Sequence, residues 1–368
     1  MPLAARCRKG GPMTLRATFT RLPERDVLEA RWRGLEAASD APFFRGWTWT
    51  GAWLDAYGVR PELLSVTDEE GRDVALALVG HGMTRRLVGP VATLLLGQSG
   101  EAAADRAYVE YNGLLSLPGQ EDVAARAAID AIAARNDWRI MMLSGVAPGE
   151  ALLDLPGRRH VRVDASPVYQ VDLDAVRGAE GDYLSLLSAN TRSQIRRSMK
   201  DRGGALPAVA RARPEERAGW LAEMHALNAG RHADNAWDDA GFRTFVATLV
   251  ERGQEDGAVD LLRFTDANGT VGLLVNFVHR GAALNYQSAF AAPLGNKDKP
   301  GLLAHAAAVA YYAERGLTLY SLLAGKDRYK QSLSTREEAL EWWAIERFSP
   351  RLEAEALLRR VLKRPISG

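Results

Sequence analysis

Near one end of the chain, Gly325-Lys326-Asp327-Arg328-Tyr329-Lys330 packs alternating charges around an aromatic residue. Asp327 is of a type that can take a proton from an amine, and Tyr329 and Lys330 are of types that recognise a polar ligand. Upstream, Tyr286, Gln287 and Ser288 stand in a run that reads as a strand. Side chains alternate along a strand, so Tyr286 and Ser288 are expected to face one way and Gln287 the other. A tyrosine facing a cleft can donate a proton or hydrogen-bond an oxygen as negative charge develops on it. Asn228, Arg231 and His232 form a polar cluster before Trp237, and Arg231, His232 and Trp237 are candidate substrate contacts. His225 and His232 are seven apart, without the HExxH spacing or an assisting cysteine, so no metal site is expected.

A second set of candidates is basic. Ser188 to Lys200 reads as a capped helix with Arg192, Arg196 and Lys200 along one stripe, beside Ile195 and Met199. The arginine fork suits phosphate. The segment Gly295 to Gly301 contributes Lys297 and Lys299, and Gly301 and Leu302 open a helix whose first amides are unpaired donors.

The elements that would position these groups emerge from periodicity. Val259 to Thr265, Thr270 to His279 and Ala282 to Phe290 read as three strands joined by Asp266 to Gly269 and by Arg280-Gly281, an antiparallel meander. Leu302, Ala306, Val309 and Ala313 have helical spacing, Gly316 ends the helix, and Leu317 to Leu323 reads as a further strand. The first half repeats this order: Leu63 to Thr67, a turn at Asp68 to Gly71, Asp73 to Gly80, Arg86 to Leu96, the helix Asp122 to Arg135 and the strand Trp138 to Ser144. Helical prefaces are expected at Pro23 to Ala37, Trp49 to Tyr57, Gly181 to Arg202 and Pro214 to Arg252. The expected fold is α/β (α+β): two tandem duplicated domains, each a mixed, mainly antiparallel sheet flanked by helices. They are expected at 13–165 and 166–368, with Ser166-Pro167 near the join and 1–12 as a disordered leader.

At 368 residues the chain is too long for one ordinary core. Its 47 Lys and Arg against 46 Asp and Glu give no global field for nucleic acid, and no run of about twenty apolar residues spans a bilayer. The single cysteine, Cys7, excludes an internal disulfide. A cytoplasmic location is expected, extending to the inner face of the membrane.

Phe43 to Trp47, Trp53 to Gly58, Tyr169 to Leu173, Leu187 to Arg192 with Arg196-Arg197, and Gly325 to Lys330 together resemble the BioF2-like or CelD-like branch of the GNAT superfamily, which is related to the FemABX aminoacyltransferases. The resemblance covers roughly residues 40 to 345. It implies an acyl-CoA co-substrate whose pyrophosphate lies on Lys297, Lys299, Gly301 and Leu302, with Arg192 and Arg196 nearby. The sequence departs from the usual Q/R-x-x-G-x-G/A pattern, since Pro300 removes one amide donor. The candidate catalytic residues are Tyr286, Asp327, Tyr329 and Lys330, the last two on a segment that resembles a recurring acceptor-side motif of the family; the base is Asp327, a histidine acting through water, or no residue at all. Arg231, His232, Trp237, Gln287, Ser288 and Lys326 are the candidate substrate contacts, all in the second domain, and the first domain is a candidate for degeneracy. The implied reaction is direct N-acyl transfer to an amine of a cell-envelope precursor, an amino sugar or a long-chain amino lipid. Expected partners are that small-molecule, lipid or glycan amine and no nucleic acid, with the protein a monomer or homodimer touching the membrane peripherally. Transfer from aminoacyl-tRNA and a catalytically dead scaffold pair are the rival readings.

Overall fold

The computed structural model describes residues 14–231 and 235–362, with side chains through Arg359; the expected leader 1–12 and Cys7 lie outside them. The first half runs β1 (Arg16–Thr20), α1 (Arg25–Ala37), α2 (Trp47–Tyr57), β2 (Glu62–Thr67), β3 (Asp73–Arg86), β4 (Gly89–Leu96), β5 (Leu115–Ser116), α3 (Glu121–Ala134) and β6 (Ile140–Val146). The long strand β7 (Arg159–Asp172) leads to α4 (Leu173–Gly178), α5 (Ala189–Asp201), β8 (Ala208–Arg211), α6 (Arg217–Asn228) and α7 (Ala240–Glu255). Then come β9 (Val259–Asp266), β10 (Gly269–His279), β11 (Ala282–Phe290), α8 (Pro300–Glu314), β12 (Leu319–Ala324), α9 (Arg328–Leu333), β13 (Arg336–Glu346) and α10 (Pro350–Leu362).

The expected meander in each half is present, and its turns explain why. Arg280 and Gly281 both have positive φ, 48° and 77°, as a two-residue hairpin requires. Gly316, at φ 78°, comes directly after the last turn of α8. In the first half, β3 runs unbroken to Arg86, so the third expected strand begins later, at Gly89.

Both halves share one sheet, ordered β1-β2-β3-β4-β6-β13-β7-β12-β11-β10-β9-β8, with β5 beside β3. Ser166 and Pro167, the expected join, lie inside β7. The late strand β13 is inserted between β6 of the first half and β7, antiparallel to both. Among the described residues only β4 with β6 and β11 with β12 pair in parallel, one such pair per half, and each is bridged by a crossover helix, α3 or α8.

Alternation along the strands divides the apolar residues between two faces. Leu273, Val275 and Phe277 of β10 join a core with Trp32, Trp47, Trp49 and Trp53 of α1 and α2 and with Phe242 and Phe245 of α7. That core crosses both halves. On the opposite face Leu274 and Phe264 pack on α4, α5 and α8, and Leu64, Val66 and Val79 pack on α3.

Candidate active site

The parallel pair β11–β12 is short, from Ala282 opposite Leu319 to Leu284 opposite Ser321. Beyond it both strands are distorted. Asn276 pairs with Asn285 while Val275 pairs with Gln287, so Tyr286 is an extra, bulged residue. On β12, Leu323 has φ 58° and the register with β7 shifts between Ser321 and Ala324. The strands part, and a fissure of about 580 Å³ opens there. Ser288 and Phe290 of β11, Lys299, Gly301 and Leu302 at the start of α8, and Asp327 and Tyr329 beyond β12 line it.

The entry to α8 is pinned by a buried ion cluster. Arg202, 5% exposed, makes three contacts of 2.6–3.0 Å to the Asp298 carboxylate and one of 3.0 Å to Asp266. Burial opposes ionisation of Asp298, but the Arg202 hydrogen bonds outweigh it and hold the carboxyl below its usual range. Asp298 also accepts the Leu294 N–H at 2.8 Å, and Ser198 Oγ accepts the Lys299 N–H at 3.0 Å. Pro300 is the first helical residue, so the first-turn amides that face outward are those of Gly301 and Leu302. A Cβ on Gly301 would stand 3.1 Å from the Phe290 ring.

The end of β12, behind the residues that line the fissure, receives a group from the first half. Glu110, buried between β4 and β5 in sequence, accepts the Ala324 N–H at 3.0 and 3.2 Å with its two carboxylate oxygens. Burial pushes its carboxyl up to about 7, against the Ala324 N–H and the Lys330 charge, which favour the anion. Lys330 Nζ donates to the Ala324 carbonyl at 2.8 Å. Burial lowers the Lys330 pKa, against the charges of Glu110 and Asp327. Gly325 makes room for it, since a Cβ there would stand 2.8 Å from Lys330 Nζ. Tyr111 and Leu323, the neighbours of Glu110 and Ala324, are both in the left-handed region, φ 50° and 58°. Strain of this kind persists only where surrounding contacts impose it. Arg45 imposes it on the Glu110 side, donating to the carbonyls of Tyr111, Asn112 and Leu114 at 2.7–3.0 Å.

The same loop occupies the corresponding position in the first half. Asn112 Nδ2 bridges the Leu96 carbonyl, just beyond the β4–β6 parallel pairs, and the Ser144 carbonyl, at 2.8 and 3.1 Å. The first turn of α3 carries Glu121 and Asp122, which repel an anion where α8 presents glycine.

Of the residues singled out in the sequence, Lys299, Gly301, Leu302, Ser288, Arg231, Asp327 and Tyr329 line the fissure. Arg231 also donates to the Phe290 carbonyl. Tyr286 and Lys330 stand on the Glu110 side: Tyr286 packs against Trp49 and Phe277 at centroid distances of 5.4 and 5.0 Å, and its hydroxyl is buried without a partner. Burial pushes that phenol well above its ordinary pKa, and the charge of Glu110 adds to the effect. The expected alternation fails here. Gln287 accepts from Trp237 Nε1 at 3.0 Å, in the layer that also holds Tyr286, whereas Ser288 Oγ donates to Asn285. The bulge at Tyr286 resets the facing of Gln287 and Ser288.

Other candidates stand apart from the fissure. Lys297 and Arg196 are exposed, Arg192 reaches the Ser185 carbonyl, and the face that α5 buries is Thr191, Ile195 and Ser198. Lys326 pairs with Asp164. Trp237 and Gln287 are spent on each other, and His232 lies outside the described residues. Glu110, Asn112 and Arg45 carry no role that their sequence context announces. The one local signal is an acid and an asparagine inside the run Tyr108 to Leu117, which is otherwise fit for a core.

Residues 189–331 match the family described as the acetyltransferase (GNAT) domain. The second half of the chain therefore carries a GNAT-type domain, of the acyltransferase class. No curated protein sequence matches the chain. Among solved structures, FemX is 10% identical with a TM-score of 0.55, covering 94% of this chain and 100% of its own. L-PGS from Bacillus licheniformis is 11% identical, TM-score 0.52, covering 91% and 97%. A conserved protein of unknown function from Bacteroides thetaiotaomicron is 12% identical, TM-score 0.50, covering 86% and 96%. At these identities the likeness is one of fold, shared with FemX over 94% of this chain. Among the described residues no helix is long and apolar enough to cross a membrane, and no group of three or more His, Cys, Asp or Glu could hold a metal ion.

Proposed function

We propose that the protein transfers an acyl group from acyl-CoA to a primary amine of a cell-envelope precursor, an amino sugar or a long-chain amino lipid. The observation that carries this reading is the fissure where β11 and β12 part, with the first-turn amides of α8 on its wall. Those amides and Lys299 are suited to the CoA diphosphate, since a helix start combines unpaired N–H groups with partial positive charge.

The acceptor arrives as an ammonium ion near neutral pH and must lose a proton before it attacks. Glu110 takes it. A carboxyl held near 7 by burial is half ionised at that pH and basic enough to accept a proton from an amine already losing one to bond formation. The amine nitrogen then bonds to the thioester carbon, the carbon–sulfur bond breaks, and CoA leaves as its thiolate. Lys330 is held against the Ala324 carbonyl, and its charge helps to keep Glu110 ionised between turnovers.

In this reading 13–165 and 166–368 are two GNAT-like units, and the first has exchanged its donor site for a supporting role. Asn112 fills its own strand gap, and the adjoining Glu110 serves the other unit. The test is thiol release. Purified protein with acyl-CoA should liberate CoA only when a matching amine is added. A flat trace across acyl lengths and amines, with transfer from aminoacyl-tRNA instead, would replace the donor.

A further inference from the structure

His305 stands one turn into α8 from Gly301 and Leu302 and is fully buried. Its Nδ1 lies 2.8 Å from the Tyr320 hydroxyl, while its Nε2 is buried without a hydrogen-bond partner. The ring packs edge-on to Phe290 at a centroid distance of 5.6 Å and stacks on Tyr329 at 5.9 Å and 22°. Both neighbours line the fissure. The imidazole is therefore separated from the fissure by a single layer of side chains, one of which, Tyr329, is 38% exposed.

The contact by itself fits either tautomer, but Nδ1–H donating to Tyr320 would leave both the phenol hydrogen and Nε2 without partners, so the favoured arrangement has the phenol as donor. The Tyr320 hydroxyl is buried, keeps its proton because burial raises its pKa, and has His305 Nδ1 as its acceptor. An imidazole that accepts at Nδ1 carries its hydrogen on Nε2. Burial, reinforced by the Lys330 charge, lowers the His305 pKa to about 3 and keeps the ring neutral. The orphan atom is thus an N–H donor. A buried donor without an acceptor is costly, and one set behind the lining of a cleft is a candidate for a bond that a ligand completes.

We propose that His305 Nε2–H donates to a carbonyl oxygen of the acyl-pantetheine arm, reached when the Tyr329 ring swings off the imidazole. The inference rests on the fissure being the site of the thioester donor. Two carbonyls have this chemistry, that of the thioester and those of the pantetheine amides. If the thioester is the partner, His305 is a catalytic residue. As the amine attacks, the carbonyl π pair moves onto oxygen and the neutral N–H stabilises it. The pair then returns as the carbon–sulfur bond breaks and the thiolate departs, with the amine's proton on Glu110.

The test reads His305 in the unaltered protein labelled with nitrogen-15 histidine, its resonances assigned by their loss in His305→Gln. CoA and S-acetonyl-CoA, a ketone that cannot transfer an acyl group, are titrated in turn, with calorimetry in parallel. A shift of the His305 Nε2 proton with CoA itself identifies a pantetheine carbonyl, and a shift only with the acetonyl compound identifies the thioester position. Binding of both ligands with the His305 resonances unmoved overturns the inference and leaves the donor site standing. Failure of both to bind removes the donor site and the inference with it. For the thioester case, His305→Leu should lower kcat by about 10²-fold with little change in KM for acyl-CoA, and His305→Gln, which keeps an N–H donor, should recover part of the loss. A folded His305→Leu protein with unchanged kcat would exclude the thioester role.

Discussion

At the scale of single residues, Glu110 makes opposite demands on stability and on activity. Its carboxyl titrates from 4.5 in the unfolded chain to about 7 in the folded protein, so between those values the folded state binds more protons. Its contribution is fully present below about pH 4.5 and is lost as pH rises through 7, a change of about 3 kcal/mol. Glu110→Gln should therefore be more stable than the wild type at pH 8 and lack this part of the pH dependence in urea unfolding between pH 5 and 8. Catalysis should run the other way. The wild-type kcat/KM should climb through pH 7 as the base ionises, and Glu110→Gln should lose that inflection along with about 10²- to 10⁴-fold of rate. The sequence made Tyr329, Lys330, Asp327 and Gly301 legible because they flank a strand end and a helix start, features that periodicity reveals. Glu110 was not legible, because its partner Ala324 is 214 residues away and lies in the other half. Nor was the facing of Gln287, which depends on a bulge that no turn residue marks.

At the scale of elements, the start of α8 is both the proposed anion site and a junction held by a buried ion cluster, and two substitutions separate these roles. Arg202→Met leaves Asp298, 1% exposed, without its counter-charge. Removing one partner of a buried pair costs about 3–5 kcal/mol, so chemical denaturation should show a loss of that size. Gly301→Val keeps the ion cluster and brings a branched side chain to the Phe290 ring and the mouth of the fissure. The expected result is a melting temperature close to wild type with Kd for CoA raised at least about tenfold, read by calorimetry. Hairpin turns and helix ends were readable from Asp266 to Gly269, Arg280-Gly281 and Gly316, whose backbone demands are local. β13 was invisible to the same reading. Leu340, Ala344 and Ile345 are buried while Glu341, Trp342 and Trp343 interrupt them, because the strand lies between two others and its register shifts on both sides.

At the scale of the molecule, the repeat visible in the sequence does not produce two separate sheets. β13 joins β6 to β7, and buried Glu346 ties Arg86 of β3 to Arg159 of β7 at 2.6 and 2.8 Å. The aromatic core of α1, α2 and α7 crosses the same boundary. Calorimetry should therefore record one cooperative transition with equal calorimetric and van't Hoff enthalpies; two resolved peaks would mean that the halves melt independently. The slot between β6 and β7 also has a consequence for biosynthesis. Both neighbouring strands leave the ribosome before the strand that fills the gap, so a nascent chain carries two open backbone edges while the segment between Asp172 and Arg336 is made. Pausing or truncation upstream of Arg336 should leave a sticky intermediate that depends on chaperones, while release of the next dozen residues closes the sheet between β6 and β7.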